Sequence, residues 1–417
     1  MFGLNPRANQ EISEALKHPD VTVEEILKCN GVTSLFRNNH PELSNFFLQE
    51  KNAKKLIEII KYSDDKKLKN IVLTLFQSGN TSLYRIFADN LNITEYAFDC
   101  LDENTSSNLS NYNIGILSRL ISHAFDLWPE DMSEICRLSP NILKKIIIHL
   151  DNICIFQTVQ DLITAKYHGL WLFLWCCFKA ILPPGANDYQ LPKKKALVEI
   201  YQLDIDPSLI TKVHRIHILK FLRLFFHQKF PWQDEFEENV IKFIVREKEL
   251  DEHLLYLSAA LPANKEILER AIKIIKEEKS QKSEIIERAV EYVSYASELI
   301  DNDTVLSIIS ILLSSSDYTN FSFLAAKELL LETIEKFNDE AVMKLKKLLA
   351  ETYNKSKNDN SEMRVSFAIS FASIVPKDKN DNSQWMKFME SVVYPFIDYK
   401  EIDHDFLFGG NFFENLQ

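Results

Sequence analysis

Two histidines spaced one helical turn apart are the residues of this sequence best suited to metal chemistry. His214 and His217 lie in a segment of helical periodicity, and His227 follows further along the chain. Imidazole nitrogens on one helix face can bind Zn²⁺ when cysteine or carboxylate ligands complete the set. No such residue stands at a suitable spacing, and Lys220 and Arg223 lie close by. We therefore interpret both histidines as polar-face residues that hold no metal.

The motifs of the common enzyme classes are missing from the sequence. Eight glycines leave no GxGxxG and no GxxxxGK[ST] segment for phosphates, and neither HExxH nor GxSxG occurs. The carboxylate pairs Glu24–Glu25 and Glu237–Glu238 are adjacent, so their side chains do not project to one side. The sequence therefore predicts a protein that is not an enzyme, with no catalytic residue and no cofactor. An all-helical enzyme whose site assembles from distant residues is the alternative.

Charge balance and cysteine usage restrict the partners and the compartment. The chain carries 48 basic and 60 acidic residues, a formal charge of −12 that disfavours nucleic acid and anionic lipid surfaces. The cysteines form no CxxC pair and are interpreted as reduced, mostly buried thiols. With no apolar leader at the N-terminus, the expected location is the cytoplasm, and a nuclear pool is compatible. The cysteines are Cys29, Cys100, Cys136, Cys154, Cys176 and Cys177.

Three further features could bind a membrane or a partner but have simpler interpretations. The apolar run from Gly169 to Phe178 is shorter than the roughly 20 residues that span a bilayer, so it predicts a buried helix. The basic run Lys193–Lys195 is interpreted as a solvated loop or helix start. Trp232 and Trp385 are interpreted as core residues. We expect no membrane insertion and identify no partner-binding residue.

Helical periodicity is the dominant pattern and predicts the elements that would position any site. Apolar residues recur at spacings of three and four from Ile285 to Ile300, which predicts one amphipathic helix of about five turns. No alternating strand pattern occurs, and Asn30–Gly31 is interpreted as a helix end. Breaks between helices are expected at Asp102 to Asn111, Pro183 to Pro192, Leu261–Pro262, Asn354 to Asn360 and Pro376 to Ser383.

A long series of amphipathic helices with short polar connectors predicts an all-α fold. We expect an α-solenoid of HEAT-like or armadillo-like helical hairpins, in which each hairpin stacks on its neighbours. The expected organisation is one helical-repeat domain over residues 1–400, followed by a short C-terminal tail over 401–417. A compact irregular helical bundle is the alternative.

The most specific segment runs from Asp20 to Leu27, where Thr22 and Glu25 have the spacing of a capping box ahead of an apolar pair. This segment resembles the opening of the SAPS family, the regulatory subunits of protein phosphatase 6 and their fungal counterparts. The resemblance continues through a pattern of apolar residues for about forty positions. Those residues are Val32, Leu43, Phe46, Leu48, Leu56, Ile57 and Ile60.

A second segment is similar to the same family. The turn Pro183–Gly185 precedes a helix pattern at Ala196–Ile200, as a PPG turn precedes a V-L-E-x-I helix in that family. Phe2–Gly3 stands where the family has an aromatic pair, and a long acidic tail is missing, so the chain is identified as a divergent member.

The resemblance implies a noncatalytic regulatory subunit. It would bind a metal-dependent Ser/Thr protein phosphatase catalytic subunit of the protein phosphatase 6 type, together with further regulatory subunits, and direct it to substrates. A solenoid adaptor of another class, such as a transport or vesicle-coat factor, is the alternative that the helical pattern allows.

Overall fold

The computed structural model describes the chain as helices joined by short connectors. It covers residues 6–78, 80–99, 111–128, 130–132, 140–164, 170–183, 186, 189, 205–228, 233–277, 283–314, 320–358, 362–376 and 383–396. No strand occurs in these ranges, which confirms the all-α prediction there. The chain divides into two compact units, Met1–Asn239 and Val240–Gln417. The single domain over 1–400 stays a prediction, and the tail over 401–417 lies outside the described residues.

The first unit is a series of helices that pack against near neighbours in the sequence. These are α1 (Pro6–Ala15), α2 (Val23–Lys28), α3 (Val32–Arg37), α4 (Pro41–Leu48), α5 (Glu50–Tyr62), α6 (Lys66–Phe76), α7 (Ser82–Asp89), α8 (Leu91–Phe98), α9 (Asn111–Leu127), α10 (Pro140–Ile148), α11 (Ile153–Thr164), α12 (Leu170–Ile181) and α13 (Lys212–His227). Helix α9 contacts α7 on one side and α11 on the other, and α11 in turn contacts α13.

The N-terminal helices begin and end where local sequence signals place them. The backbone N–H of Thr22 donates to the Glu25 carboxylate at 2.8 Å, and the Glu25 N–H donates to Thr22 Oγ1 at 3.3 Å. This is the predicted capping box at the start of α2. Gly31 has φ +77°, a left-handed conformation that separates α2 from α3, as predicted for Asn30–Gly31. A Cβ at Gly31 would also lie 3.0 Å from the Cβ of Ala8.

The apolar residues at 32–60 form the core of the N-terminal helices. Phe46 is buried, and its ring lies 5.5 Å from that of Phe47, which in turn lies 5.9 Å from Phe36. Leu48 is the exception, because its side chain is exposed at the end of α4. The other positions named for this segment are all buried, namely Val32, Leu43, Phe46, Leu56, Ile57 and Ile60.

Helix α12 is the predicted buried apolar helix. Every side chain from Phe173 to Phe178 is buried, and the Trp175 ring lies 5.3 Å from that of Phe236. In the part of the chain that the structure describes, no helix combines the length and the apolar character that crossing a membrane requires. The prediction of a buried helix is therefore confirmed for this segment.

The second unit continues the helical series. It begins at Val240, within α14 (Gln233–Arg246). The helices that follow are α15 (Glu252–Ser258), α16 (Lys265–Lys276), α17 (Ser283–Tyr295), α18 (Asn302–Ser314), α19 (Asn320–Thr333), α20 (Asp339–Asn358), α21 (Glu362–Ala372) and α22 (Ser383–Phe388). Contacts in this series skip one helix: α17 contacts α15 and α19, α18 contacts α16 and α20, and α19 contacts α17 and α21.

Two predicted helix boundaries in this unit are wrong. The helix expected to run from Ile285 to Ile300 ends at Tyr295 and gives way to a 3₁₀ turn at Ser297–Leu299. Helix α20 continues through the break expected at Asn354 and ends at Asn358, because basic residues in its last turn favour a helix C-terminus and Ser356 is buried. The break at Leu261–Pro262 is confirmed, and most residues of the other three breaks lie outside the described ranges.

Several helix C-termini are closed by side chains that come from distant helices. Lys61, fully buried in α5, donates to the carbonyl of Tyr96 in α8 at 2.5 Å. Arg270 in α16 donates to carbonyls at the end of α14, including that of Glu247 at 2.8 Å. Such bonds satisfy carbonyls at helix C-termini, so they join helices that are not adjacent in the sequence.

Candidate functional site

The interpretation of His214 as a polar-face residue is wrong, because its side chain is buried, and the rings of His214 and His217 both lie against backbone carbonyls. His214 is buried; its Nε2 lies 3.1 Å from the carbonyl oxygen of Ile148, and its Nδ1 accepts from the Thr211 N–H at 3.2 Å. His217 Nδ1 lies 2.5 Å from the carbonyl oxygen of Leu150. Both rings therefore close the end of α10 from α13. Burial lowers the pKa of His217, although its bond to Leu150 opposes that shift.

The remaining residues singled out from the sequence have structural positions where the structure describes them. Trp385 is buried and lies 5.4 Å from the Phe388 ring, so the core interpretation is confirmed. Glu24 forms an ion pair with Lys55 at 3.2 Å, and Gln233 donates to Glu237 at 2.6 Å. Trp232 and Lys193–Lys195 lie outside the described residues, as do Cys100 and Cys136.

The four described cysteines are free thiols. Cys176 and Cys177 are buried, whereas Cys29 and Cys154 are half-buried. Burial raises the pKa of Cys176 to about 12, which keeps that thiol protonated and unreactive. Within the described ranges, no three His, Cys, Asp or Glu side chains come together in a way that could hold a metal ion.

Two neighbouring cavities share lining residues on the exposed face of α9. The side chains of Arg119 and His123, one turn apart, form a ridge with a cavity on each side. We call these the apolar cavity and the acidic cavity. Gly115, one turn before Arg119, lets α11 approach α9 closely, since a Cβ there would lie 2.9 Å from Cys154 Sγ.

The apolar cavity lies between α9 and the α6–α7 connection and has a volume of about 380 Å³. Its walls include Phe76, Tyr84 and Leu120. The Phe76 and Tyr84 rings pack edge to face at 5.4 Å, and the Tyr84 ring meets the His123 ring at 4.7 Å. Burial raises the pKa of Tyr84, so its hydroxyl stays neutral. These fixed rings give the cavity an apolar wall that holds its shape.

The acidic cavity lies between α9 and α11 and has a volume of about 220 Å³. Asp126 of α9 and Asp161 of α11 both line it, with Gln157 and Thr158 beside them. Asp126 faces the ridge, where its carboxylate lies 3.7 Å from His123 Nδ1. Burial and the nearby Asp126 raise the pKa of Asp161. The cavity thus presents two carboxylates to whatever enters it.

Two charged side chains at the paired cavities have no partner of opposite charge among the residues that the structure describes. Arg119 and Asp161 form no hydrogen bond or ion pair with any residue in the described part of the chain. Both residues are exposed, so water solvates their charges.

Sequence reasoning did not find this site. Arg119, His123 and Asp126 follow the spacing of four and three that places them on one helix face, which a search for polar stripes would detect. Nothing in the sequence indicated that Asp161, on another helix, would lie beside Asp126. That proximity depends on how α11 packs on α9.

A third cavity, of about 280 Å³, lies beside α8 and is polar. Its charges are paired: Lys145 Nζ lies 2.6 Å from the Asp99 carboxylate, and Lys54 lies 2.9 Å from Glu50. Paired charges leave less free energy for a ligand, because the ligand must replace an existing contact.

Comparison of the chain with protein-family models, with curated proteins and with solved structures finds no match.

Proposed function

We propose that this chain is a noncatalytic scaffold subunit built as an α-solenoid of HEAT-like or armadillo-like hairpins. The contact pattern of the second unit supports the solenoid, because α15 contacts α17, α16 contacts α18, and α17 contacts α19. Stacked hairpins make contacts of this kind, since each hairpin buries its apolar face against the next one. Such a stack offers a long surface to another protein.

The proposed partner is the catalytic subunit of a Ser/Thr protein phosphatase of the protein phosphatase 6 type, which the scaffold directs to its substrates. The observation that carries this proposal is the segment Asp20–Ile60, whose motif resembles the SAPS family. Its Thr22 and Glu25 form a capping box, and the apolar residues that follow are buried except for Leu48. The partner itself is inferred from the resemblance. We place the complex in the cytoplasm, where free thiols such as those of this chain persist.

Affinity purification of the tagged full chain from its own cells, at low salt and with quantitative mass spectrometry, tests the partner. We expect a Ser/Thr phosphatase catalytic subunit among the most enriched chains, compared with a tagged unrelated helical protein as control. Binding should survive single surface substitutions, because a solenoid interface is spread over several helices. Enrichment of coat or transport proteins in place of a phosphatase would favour an adaptor of another class.

The noncatalytic part of the proposal has a separate test. The purified recombinant chain should hydrolyse a generic phosphoester such as p-nitrophenyl phosphate no faster than buffer does, with and without added Mn²⁺. Turnover that persists through successive purification steps would contradict it.

A further inference from the structure

We propose that the C-terminal ends of α17 and α19 form a docking surface for a partner protein that presents lysine or arginine together with apolar side chains. We call this surface the C-terminal edge and define it by three exposed apolar side chains, those of Tyr295, Leu299 and Leu331. Apolar side chains of the partner cover these three, and its basic side chains lie against the carboxylates around them. This inference does not rest on the phosphatase partner, because it concerns a surface that the isolated chain presents.

The ends of α17 and α19 lie side by side in the second unit. Helix α17 contacts α19, and the turn Ser297–Leu299 that follows α17 contacts α19 as well. Just beyond this turn, Asn302 Nδ2 donates to the carbonyl of Lys336, in the turn that follows α19, at 3.4 Å. The chain therefore leaves both helices at the same level, and the three apolar residues that occupy these ends belong to one edge.

Exposed apolar side chains are concentrated at the C-terminal edge. Eight large apolar side chains of the described residues are exposed, and three of them belong to this edge, each with 49% of its surface accessible. The Tyr295 ring is held in place, because its hydroxyl donates to the carbonyl of Leu261 at 2.8 Å. A cluster of exposed apolar groups marks a surface that another molecule covers, whereas a single exposed leucine needs no such explanation.

The charge around the C-terminal edge is negative. The segments 287–299 and 327–336 hold six glutamates against three basic residues. One of those basic residues, Arg288, already pairs with Glu291 at 2.5 Å. The C-termini of two helices add partial negative charge, because the peptide dipoles of a helix are aligned along its axis. Positively charged side chains of a partner are therefore attracted to this edge.

Three exposed glutamates of the edge can pair with such a partner. Glu298, Glu328 and Glu332 form no ion pair with any residue in the described part of the chain. Glu328 of α19 lies near Glu291 of α17, and partial burial together with the carboxylates of Glu291 and Glu332 raises the pKa of Glu328. A lysine or arginine placed beside Glu328 would reduce this repulsion and form charge-assisted hydrogen bonds.

The combination of apolar and negative groups selects the class of partner. Carboxylates repel nucleic acids and anionic lipid surfaces, which are themselves negative. A second copy of this chain carries the same formal charge of −12 and presents the same glutamates, so self-association at this edge is opposed as well. A protein surface that combines basic and apolar side chains complements both properties of the edge.

Fluorescence polarisation with a labelled peptide and the full chain tests the proposal. The probe contains leucine and lysine in a helical pattern that places the leucines on one face. Comparison peptides replace every lysine with glutamate or every leucine with serine. We expect saturable binding of the probe, binding about tenfold weaker for the serine peptide and none for the glutamate peptide. Added salt should weaken the binding of the probe, because exposed charge pairs are screened.

Apolar variants of the chain show whether the probe binds at this edge. The double variant Leu299→Ser, Leu331→Ser should weaken binding about tenfold, because it removes two apolar contacts. Met343→Ser is the matched control, since Met343 is 51% exposed but lies on α20. It should bind the probe as the parent does.

Charge variants separate this edge from general attraction to an acidic protein. The double variant Glu328→Gln, Glu332→Gln should weaken binding and reduce its salt dependence. The double variant Glu340→Gln, Glu351→Gln makes the same change in net charge on α20 and should bind as the parent does. Circular dichroism melts confirm that each variant is folded.

Four results would overturn the inference: no saturable binding of the probe, equal binding of the lysine and glutamate peptides, equal losses in the edge variants and the α20 variants, or binding of phosphatidylserine vesicles in place of the probe. Dimerisation that Leu331→Ser abolishes would also overturn it, because a second copy of this chain would then cover the edge. The peptide assay contains no phosphatase, so its failure and the failure of the scaffold proposal are distinguishable.

Discussion

Arg270 donates hydrogen bonds to several carbonyls at the end of α14, so replacing it tests the packing between α14 and α16. Its Nη1 donates to the carbonyls of Ile244 at 3.1 Å and Val245 at 3.2 Å, and its Nη2 donates to that of Glu247 at 2.8 Å. All three carbonyls belong to the last turn of α14 or the residue after it, and that of Ile244 also accepts from the Glu247 N–H at 3.3 Å.

The expected loss in the free energy of unfolding follows from these contacts. The bonds are half-buried, so water replaces them in part, and each contributes about 0.5–1 kcal/mol. The positive charge at a helix C-terminus adds about 0.3–1 kcal/mol. Arg270→Met should therefore destabilise the second unit by about 2–4 kcal/mol. Arg270→Lys keeps the charge but not the fork of donors, so it should lose about 1 kcal/mol.

Hydrogen–deuterium exchange read by mass spectrometry measures the effect where it occurs. Faster exchange is expected over residues 244–250, and the core helix α17 serves as an internal reference for the same unit. Lys273→Met is the matched control on the same helix, since Lys273 is exposed and lies 3.7 Å from Glu277. An exposed pair of this kind contributes at most about 1 kcal/mol.

The reasoning fails if Arg270→Met and Lys273→Met change the exchange of residues 244–250 equally. It also fails if Arg270→Lys is as destabilising as Arg270→Met, because the charge at the helix end would then contribute nothing.

Two further predictions concern the first unit. Phe46→Asp should destabilise it by several kcal/mol, because an unpaired carboxylate would enter an apolar core. Leu48 lies on the same helix but is exposed, so Leu48→Asp should change the free energy of unfolding by less than about 0.5 kcal/mol. Equal urea midpoints for the two variants would show that Phe46 is not part of the core. Burial holds the pKa of His217 below its ordinary value of 6.5, so below pH 6.5 the unfolded chain takes up a proton that the folded chain resists, and stability should fall as the pH falls from 6.5. His217→Gln should flatten this part of the pH–stability curve, and an unchanged slope would contradict the assignment.

Features that act within one or two helical turns were predictable from the sequence. The capping box of Thr22 and Glu25 joins residues three positions apart, and Gly31 supplies a left-handed backbone that few other residues adopt. The helices themselves follow from apolar residues at spacings of three and four, because that period puts them on one face. The burial of Phe46 follows from the same rule.

Helix lengths were less predictable than helix positions. A polar interval at Asn354 has the composition of a loop, yet α20 continues to Asn358. Conversely, apolar residues recur at helical spacing as far as Ile300, but α17 ends at Tyr295. Propensity is a weak term of a few tenths of a kcal/mol per residue, so packing against neighbouring helices decides where the last turn lies.

Only the tertiary structure decided which distant groups meet. His214 and His217 have a spacing that suits a metal, but the packing of α13 turns their rings toward the carbonyls that end α10. Arg270 reaches carbonyls more than twenty residues away, and Asp161 faces Asp126 from another helix. Helical periodicity indicates which face of each helix is apolar. It does not indicate which helix packs against that face or at what crossing angle. The pairing of polar groups across helices depends on that angle, because side chains exchange hydrogen bonds only over about 3 Å.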